Sequence, residues 1–205
     1  MQQLKNEQEI LLTSQAALLF ADMEKHVTLS MQDRIMITSR IRIRQYGKKD
    51  FIFGAGVSVE EFFFVGSGIV CLYANDEKGN PHGLQFGIPG WWITDMDKFL
   101  SGMPTTYFMG CPEACTLIVL SKNDYGLLIK ELPVFAEYFR IILEKKYAAA
   151  IRKIELLMCE PAENRFEKFS NAFPGFVQKV PQYVLASVLG FTPQFLSMLR
   201  GKIRR

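Results

Sequence analysis

The sequence predicts an α+β chain: an N-terminal double-stranded β-roll of jelly-roll type, one long helix, and a small all-α helix-turn-helix domain. Three observations carry this. Short β-type runs separated by turn residues fill the stretch from about Ile35 to Leu120. An apolar stripe at helical spacing follows from Phe139 to Leu157. Two short helical patterns hinged on a glycine then close the chain between Gln182 and Leu199. The expected divisions are 1–132, 133–160 and 161–205.

From Met1 to about Phe20 the pattern is helical, with Ile10, Leu11, Leu18 and Leu19 near one face. Arg40 to Arg44 alternates as a half-buried strand should. Phe51-Ile52-Phe53, Phe62 to Val65, Ile69 to Tyr73, Tyr107 to Met109 and Leu117 to Leu120 read as further strands. Gly54-Ala55-Gly56, Gly66-Ser67-Gly68, Asn75 to Asn80 and Pro89-Gly90 supply the turns between them. Helical texture returns at Tyr125. The stripe Phe139, Leu143, Tyr147, Ala150, Ile154 and Leu157 is too long to be covered by a roll at one end, so a second copy is its expected partner. Dimerisation through residues 133–158 follows. Glu160-Pro161 ends the helix, because proline lacks the N–H and clashes one turn back.

In the last segment Leu185, Leu189, Phe191, Leu196 and Leu199 are the apolar positions, and Ala186 is small where two helices would cross. Gly190 stands where the turn needs positive φ. Thr192 can cap the second helix, and Pro193 takes the first helical position, where its missing N–H costs nothing. Such a pair of helices lays its second member in the major groove of duplex DNA. Charge agrees. The chain carries a net +3, yet residues 161–205 hold seven basic side chains against two acidic ones, while the remainder is slightly acidic. A basic end on a near-neutral body suits a polyanion. Thr192, Gln194, Ser197, Met198, Arg200, Lys202 and Arg204 are the candidate DNA-contacting residues, with Gln194 suited to adenine.

Other classes find little support. No apolar run approaches the roughly 20 residues that span a bilayer. The segment Met1 to Glu9 is polar and has no secretory h-region, so a cytoplasmic chain without a membrane partner is expected. Cys71, Cys111, Cys115 and Cys159 lack the spacing of a zinc site and read as free, buried thiols. A metal-dependent jelly-roll enzyme needs converging histidines. Only His26 and His82 exist, and His82 is expected in a surface turn. Neither a phosphate loop nor a Ser/His/Asp set is present, so no catalytic residue and no metal site is assigned.

The order of β-roll, long helix and terminal helix-turn-helix resembles the Crp/Fnr transcription regulators, whose sensor domain has the cyclic-nucleotide-binding fold. Leu84-Gln85-Phe86, Gly90-Trp91-Trp92-Ile93, Phe99 to Pro104 and Val180 to Ala186 are similar to a compact subfamily common in Bacteroidetes. The resemblance implies an effector in the β-roll, and it names as candidate pocket residues Trp91, Trp92, Thr94, Asp95, Thr105 and Thr106. In nucleotide-binding members a glycine-glutamate pair is followed ten residues later by an arginine that holds the cyclic phosphate. Thr94-Asp95 and Thr105-Thr106 stand at those positions here, and no arginine lies between Arg44 and Arg140. A phosphate without that cation loses a charge-assisted bidentate contact, so cyclic AMP is not expected to bind in the usual mode. No cysteine precedes Cys71, which removes the iron–sulfur branch. Longer relatives follow the motif with a β-hairpin wing, whereas this sequence ends at Arg205, and arginine is common where Met198 stands. Two functions remain from this reading: a dimeric DNA-binding regulator with an unknown small-molecule effector, or a ligand-binding or scaffold protein whose helix-turn-helix has lost DNA binding.

Overall fold

The computed structural model describes residues 2–203, with side chains described for residues 10–201. Among the described residues, eight strands make two four-stranded antiparallel sheets. The strands are β1 (Ile41–Tyr46), β2 (Phe51–Phe53), β3 (Glu61–Ser67), β4 (Val70–Asn75), β5 (Pro81–Gly87), β6 (Trp92–Ile93), β7 (Phe108–Gly110) and β8 (Cys115–Ser121). The first sheet runs β1-β8-β3-β6 and the second β2-β7-β4-β5. This is the expected roll.

Strand β3 shows why its sequence does not alternate. Phe63 and Val65 point between the sheets, with Val70, Leu72, Met109, Leu117 and Val119. Phe62 and Phe64 point the other way, into a second core under the helices, as do Ile118 and Leu120 of β8. A strand buried on both faces reads as a continuous apolar run. The covering helices are α1 (Gln2–Met23), α2 (Met31–Thr38), α3 (Met96–Ser101), α4 (Lys122–Glu131) and α5 (Pro133–Cys159). In α1 the buried face is Ala16, Leu19, Phe20 and Met23, whereas Ile10 and Leu18 are exposed. The face is thus rotated from the one read in the sequence.

Two helices interrupt the stretch expected to be wholly β. Helix α2 begins at a capping box: Asp33 N–H donates to Ser30 Oγ at 3.2 Å, and Ser30 N–H donates to Asp33 Oδ2 at 2.8 Å. Helix α3 is capped by Asp95, whose Oδ1 accepts from Lys98 N–H. Strand β5 was missed as well. It carries His82 on an exposed strand beside Asp76, 3.2 Å away, rather than in a turn.

Beyond α5 come α6 (Ala162–Ala172), α7 (Pro174–Lys179), α8 (Gln182–Val188) and α9 (Pro193–Ile203). Their core is Phe166, Phe169, Phe176, Leu185, Leu189, Leu196 and Leu199, and it is continuous with Ile69 and Cys71 from the outer face of the second sheet. The helical domain is therefore packed on the roll. Phe86 of β5 is the aromatic centre of that contact, 4.3 Å from the Phe176 ring centroid and 5.2 Å from that of Phe173. Three of the cysteines are buried thiols as expected, but Cys159 is exposed. The Cys111 and Cys115 sulfurs lie 2.9 Å apart.

Candidate functional site

The helix-turn-helix is built by local chemistry. At the end of α8, Phe191 N–H donates to Ala186 O at 2.8 Å and Gly190 N–H to Ser187 O at 3.2 Å, with Gly190 at φ 70. This is a Schellman stop, which needs a left-handed residue that glycine provides without strain. A Cβ on Gly190 would also stand 3.2 Å from Leu157 of α5. Thr192 Oγ1 accepts from Phe195 N–H at 3.2 Å and starts α9, with Pro193 next in line. Gln182 Nε2 reaches across to Pro193 O at 3.1 Å, tying the first helix to the second.

Leu196 and Leu199 fix the inner face of α9 and leave Thr192, Gln194, Ser197 and Met198 exposed along its other side. Arg200 is different. It is half-buried, stands 5.8 Å from the Phe166 ring centroid and donates to Val177 O at 3.4 Å. Its guanidinium thus serves the domain's own packing. Lys202 lies on α9, but its side chain is outside the described ones, and Arg204 lies outside the described residues.

In the roll, the four residues expected at nucleotide-cassette positions divide. Thr94 is buried and donates to Glu61 O at 2.9 Å. Asp95 and Thr105 are buried and joined directly, Thr105 Oγ1 donating to Asp95 Oδ2 at 2.6 Å. Thr105 Oγ1 also accepts from Tyr107 N–H at 3.0 Å. With its cap bond to Lys98, the Asp95 carboxylate is occupied at both oxygens. Thr106 points to solvent.

The adjacent tryptophans face opposite ways. Trp92 is core: its Nε1–H donates to Tyr138 Oη at 3.0 Å, and that hydroxyl donates to Asp22 Oδ2 at 2.7 Å. This buried chain links β6, α5 and α1, and burial beside Asp22 pushes the Tyr138 phenol up in pKa. Trp91 is partly exposed and stacks on Phe86 at 5.4 Å, with Phe173 at its edge. It belongs to the contact between roll and helical domain.

Helix α5 changes character along its length. Phe135, Tyr138 and Phe139 are buried in the chain's own core. Leu143, Tyr147, Ile151, Ile154 and Met158 form an exposed stripe at spacings of four, four, three and four residues. The seam read from the sequence thus loses Phe139 to the core and gains Ile151 and Met158, while Leu157 turns toward Gly190.

Sequence reasoning missed the groups that couple the parts. Lys146 donates to Trp92 O, and burial lowers its pKa to about 8. Lys153 donates to Leu84 O at 2.7 Å, and burial lowers its pKa too. Ser187 of α8 accepts from Gly83 N–H and donates to Pro81 O at 3.0 Å. Arg165 Nη1 donates to Leu157 O at 3.2 Å, and the guanidinium carbon lies 4.7 Å from the Phe191 ring centroid, so one arginine joins the end of α5 to the turn of the motif. None of these pairs is close in sequence, so no local pattern announces them.

Among the described residues no helix is long and apolar enough to cross a membrane, and no group of three or more His, Cys, Asp or Glu could hold a metal ion. Residues 43–131 match the family described as Cyclic nucleotide-binding domain. No curated protein matches the chain. Among solved structures, the chain is similar to FixK2 from Bradyrhizobium japonicum, with 15% identity and a TM-score of 0.68 over 80% of this chain and 84% of that one. It is similar to the c-di-GMP responsive global regulator CLP of Xanthomonas campestris, with 15% identity and a TM-score of 0.67 over 85% and 92%. A Crp/Fnr-family transcriptional regulator of Thermus thermophilus shares 22% identity and a TM-score of 0.61 over 80% and 86%. Likeness at such identities shows a shared fold, and the fold is the one the sequence led us to expect.

Proposed function

We propose that this chain, with a cyclic-nucleotide-binding domain in a fold of Crp/Fnr type, is a dimeric DNA-binding transcription regulator of the cytoplasm. One observation carries the reading: the exposed row Thr192, Gln194, Ser197 and Met198 at the start of and along the second helix of a helix-turn-helix whose turn is capped by Thr192. Gln194 is exposed near the start of α9, which supports a base-reading role for it. Lys202 and Arg204 are the candidate phosphate contacts, while Arg200 is committed to its own domain before DNA arrives.

The α5 stripe supports the dimer, because five large apolar side chains in register need a partner surface. The Asp95–Thr105 bond supports a sensor that does not take cyclic AMP in the usual mode, since the ribose-binding carboxylate position is already satisfied and the cation near it, Lys98, is paired with Asp97. The effector is a different small molecule.

Fluorescence anisotropy with duplexes selected from a random pool tests the function. Affinity should fall steeply between two salt concentrations, through counterion release, and the selected half-sites should be centred about 10 base pairs apart. Gln194→Ala should cost about 1–3 kcal/mol at one preferred base pair and little elsewhere. Absence of duplex binding at low salt would leave the scaffold reading in its place.

A further inference from the structure

The helical domain does not close completely on the roll. A cavity of about 660 Å³ remains between the second sheet and α8. That volume suits a small organic ligand. Its walls are mainly apolar, with Phe51 of β2 and Tyr73 of β4 on the roll side and Val184 and Val188 on the α8 side. Two aromatic rings stand exposed at its rim, Phe51 at 66% and Tyr183 at 52%. Exposed rings flanking an apolar recess lose nothing by covering a ligand and gain contact area.

The mouth carries a net positive charge. Lys48 and Lys49 lie there with the single carboxylate of Asp50, which is exposed and whose Oδ2 accepts from Gly47 N–H at 2.7 Å. Lys49 holds φ 71, in the left-handed region that lysine avoids, and it is the one non-glycine residue with positive φ among the described residues. The loop keeps that conformation because Lys49 N–H donates to Cys111 O at 2.7 Å and Cys111 N–H donates to Asp50 O at 2.9 Å. The clamp holds the backbone of Lys48 and Lys49 at the opening of the apolar cleft, within reach of a ligand's acid group.

We propose that this cleft is an effector site for an amphipathic organic anion, an aromatic body carrying one carboxylate or sulfonate. The body fills the space between Phe51, Tyr73, Tyr183 and Val188, and the acid pairs with Lys48 and Lys49. Ligands that straddle two packed domains favour one relative placement over others. An occupied cleft therefore changes how α8, and with it α9, is held on the roll through Ser187 and Gly83. This coupling to DNA rests on the regulator reading above, whereas occupancy of the cleft does not.

The test uses the full chain and 8-anilinonaphthalene-1-sulfonate, an aromatic anion whose emission rises in apolar surroundings. Titration should saturate at one dye per chain. The exposed pair Lys48→Glu and Lys49→Glu should weaken it about tenfold, the equivalent of one lost charge-assisted contact. Tyr183→Ala should weaken it as well, and Val188→Trp should fill the cleft and abolish it. Near-ultraviolet circular dichroism checks that each variant is folded, and the lysine pair, being on the surface, keeps the test open if Val188→Trp is not. Non-saturating dye, or equal affinity in wild type and the lysine pair, overturns the proposal. DNA anisotropy on the same samples separates the two readings: DNA binding without cleft binding sinks only the effector site, and saturable, lysine-dependent dye binding without DNA binding sinks only the regulator.

Discussion

Thr105 Oγ1 donates a 2.6 Å hydrogen bond to Asp95 Oδ2, and both side chains are buried, 3% and 1% exposed for Asp95 and Thr105 respectively. On the proposed reading, this polar pair stands where a nucleotide-binding relative would hold the ribose and the cyclic phosphate. The carboxylate is satisfied from within, by Thr105 on one oxygen and the α3 cap on the other.

Titration calorimetry with cyclic AMP and cyclic GMP should accordingly give no submicromolar binding; an affinity in that range would contradict the role given to this pair. Thr105→Val keeps the shape but strands one buried carboxylate oxygen. It should lower unfolding stability by about 1–3 kcal/mol in urea titrations.

The exposed stripe on α5 leads to a second expectation. Tyr147→Glu with Ile154→Glu places charges in the middle of the seam, and light scattering should then report one chain instead of two. Phe139→Glu would not test this, because Phe139 lies in the chain's own core. A wild-type monomer at tens of micromolar, an ordinary concentration for such assays, would refute the seam.

Gly83 lets α8 approach β5. A Cβ there would lie 3.0 Å from Val188 Cγ2 and 3.3 Å from Val188 N. Gly83→Val should therefore strain the domain contact and cost about 1–3 kcal/mol by overpacking. Gly126 is the control. It sits inside α4 with open space around it, so Gly126→Ala should stabilise by up to about 1 kcal/mol. Thermal denaturation of both variants checks the difference in sign.

Lys146 sets a pH dependence. Burial lowers its folded pKa to about 8 from the ordinary 10.5, so between these values the unfolded chain binds the extra proton. Stability contributed by this group therefore rises as pH increases from 8 to 10.5. Lys153 is shifted in the same direction by burial and adds the same sign. Urea midpoints across that window should climb in the wild type and flatten in Lys146→Met; an unchanged slope in the variant would assign the effect elsewhere.

Much of the architecture was legible because its signals are local. The capped turn from Ala186 to Phe195 lies within a dozen residues, so Gly190, Thr192 and Pro193 could be given their roles from spacing alone. Strand β3 was visible as Phe62-Phe63-Phe64-Val65, although its two-sided burial requires knowing that helices cover one sheet. Helix α2 was overlooked despite its Ser30–Asp33 box, because its eight residues are too few to display a helical period. The cassette substitutions were legible only by resemblance, and the sequence could not say that Asp95 and Thr105, ten residues apart, would bond to each other.

By itself the sequence determined the long helix, most of the strands, and the helix-turn-helix with its capped glycine turn. Each depends on residues that are neighbours along the chain, where backbone propensity, capping and periodicity act. Tertiary structure alone decided which face of α5 stays exposed, that Trp91 and Trp92 part company, that Arg200 is spent on Phe166 and Val177, and that a cleft remains between Phe51 and Tyr183. These depend on distances between segments far apart in sequence, which are fixed only when three apolar cores compete for the same side chains and pack.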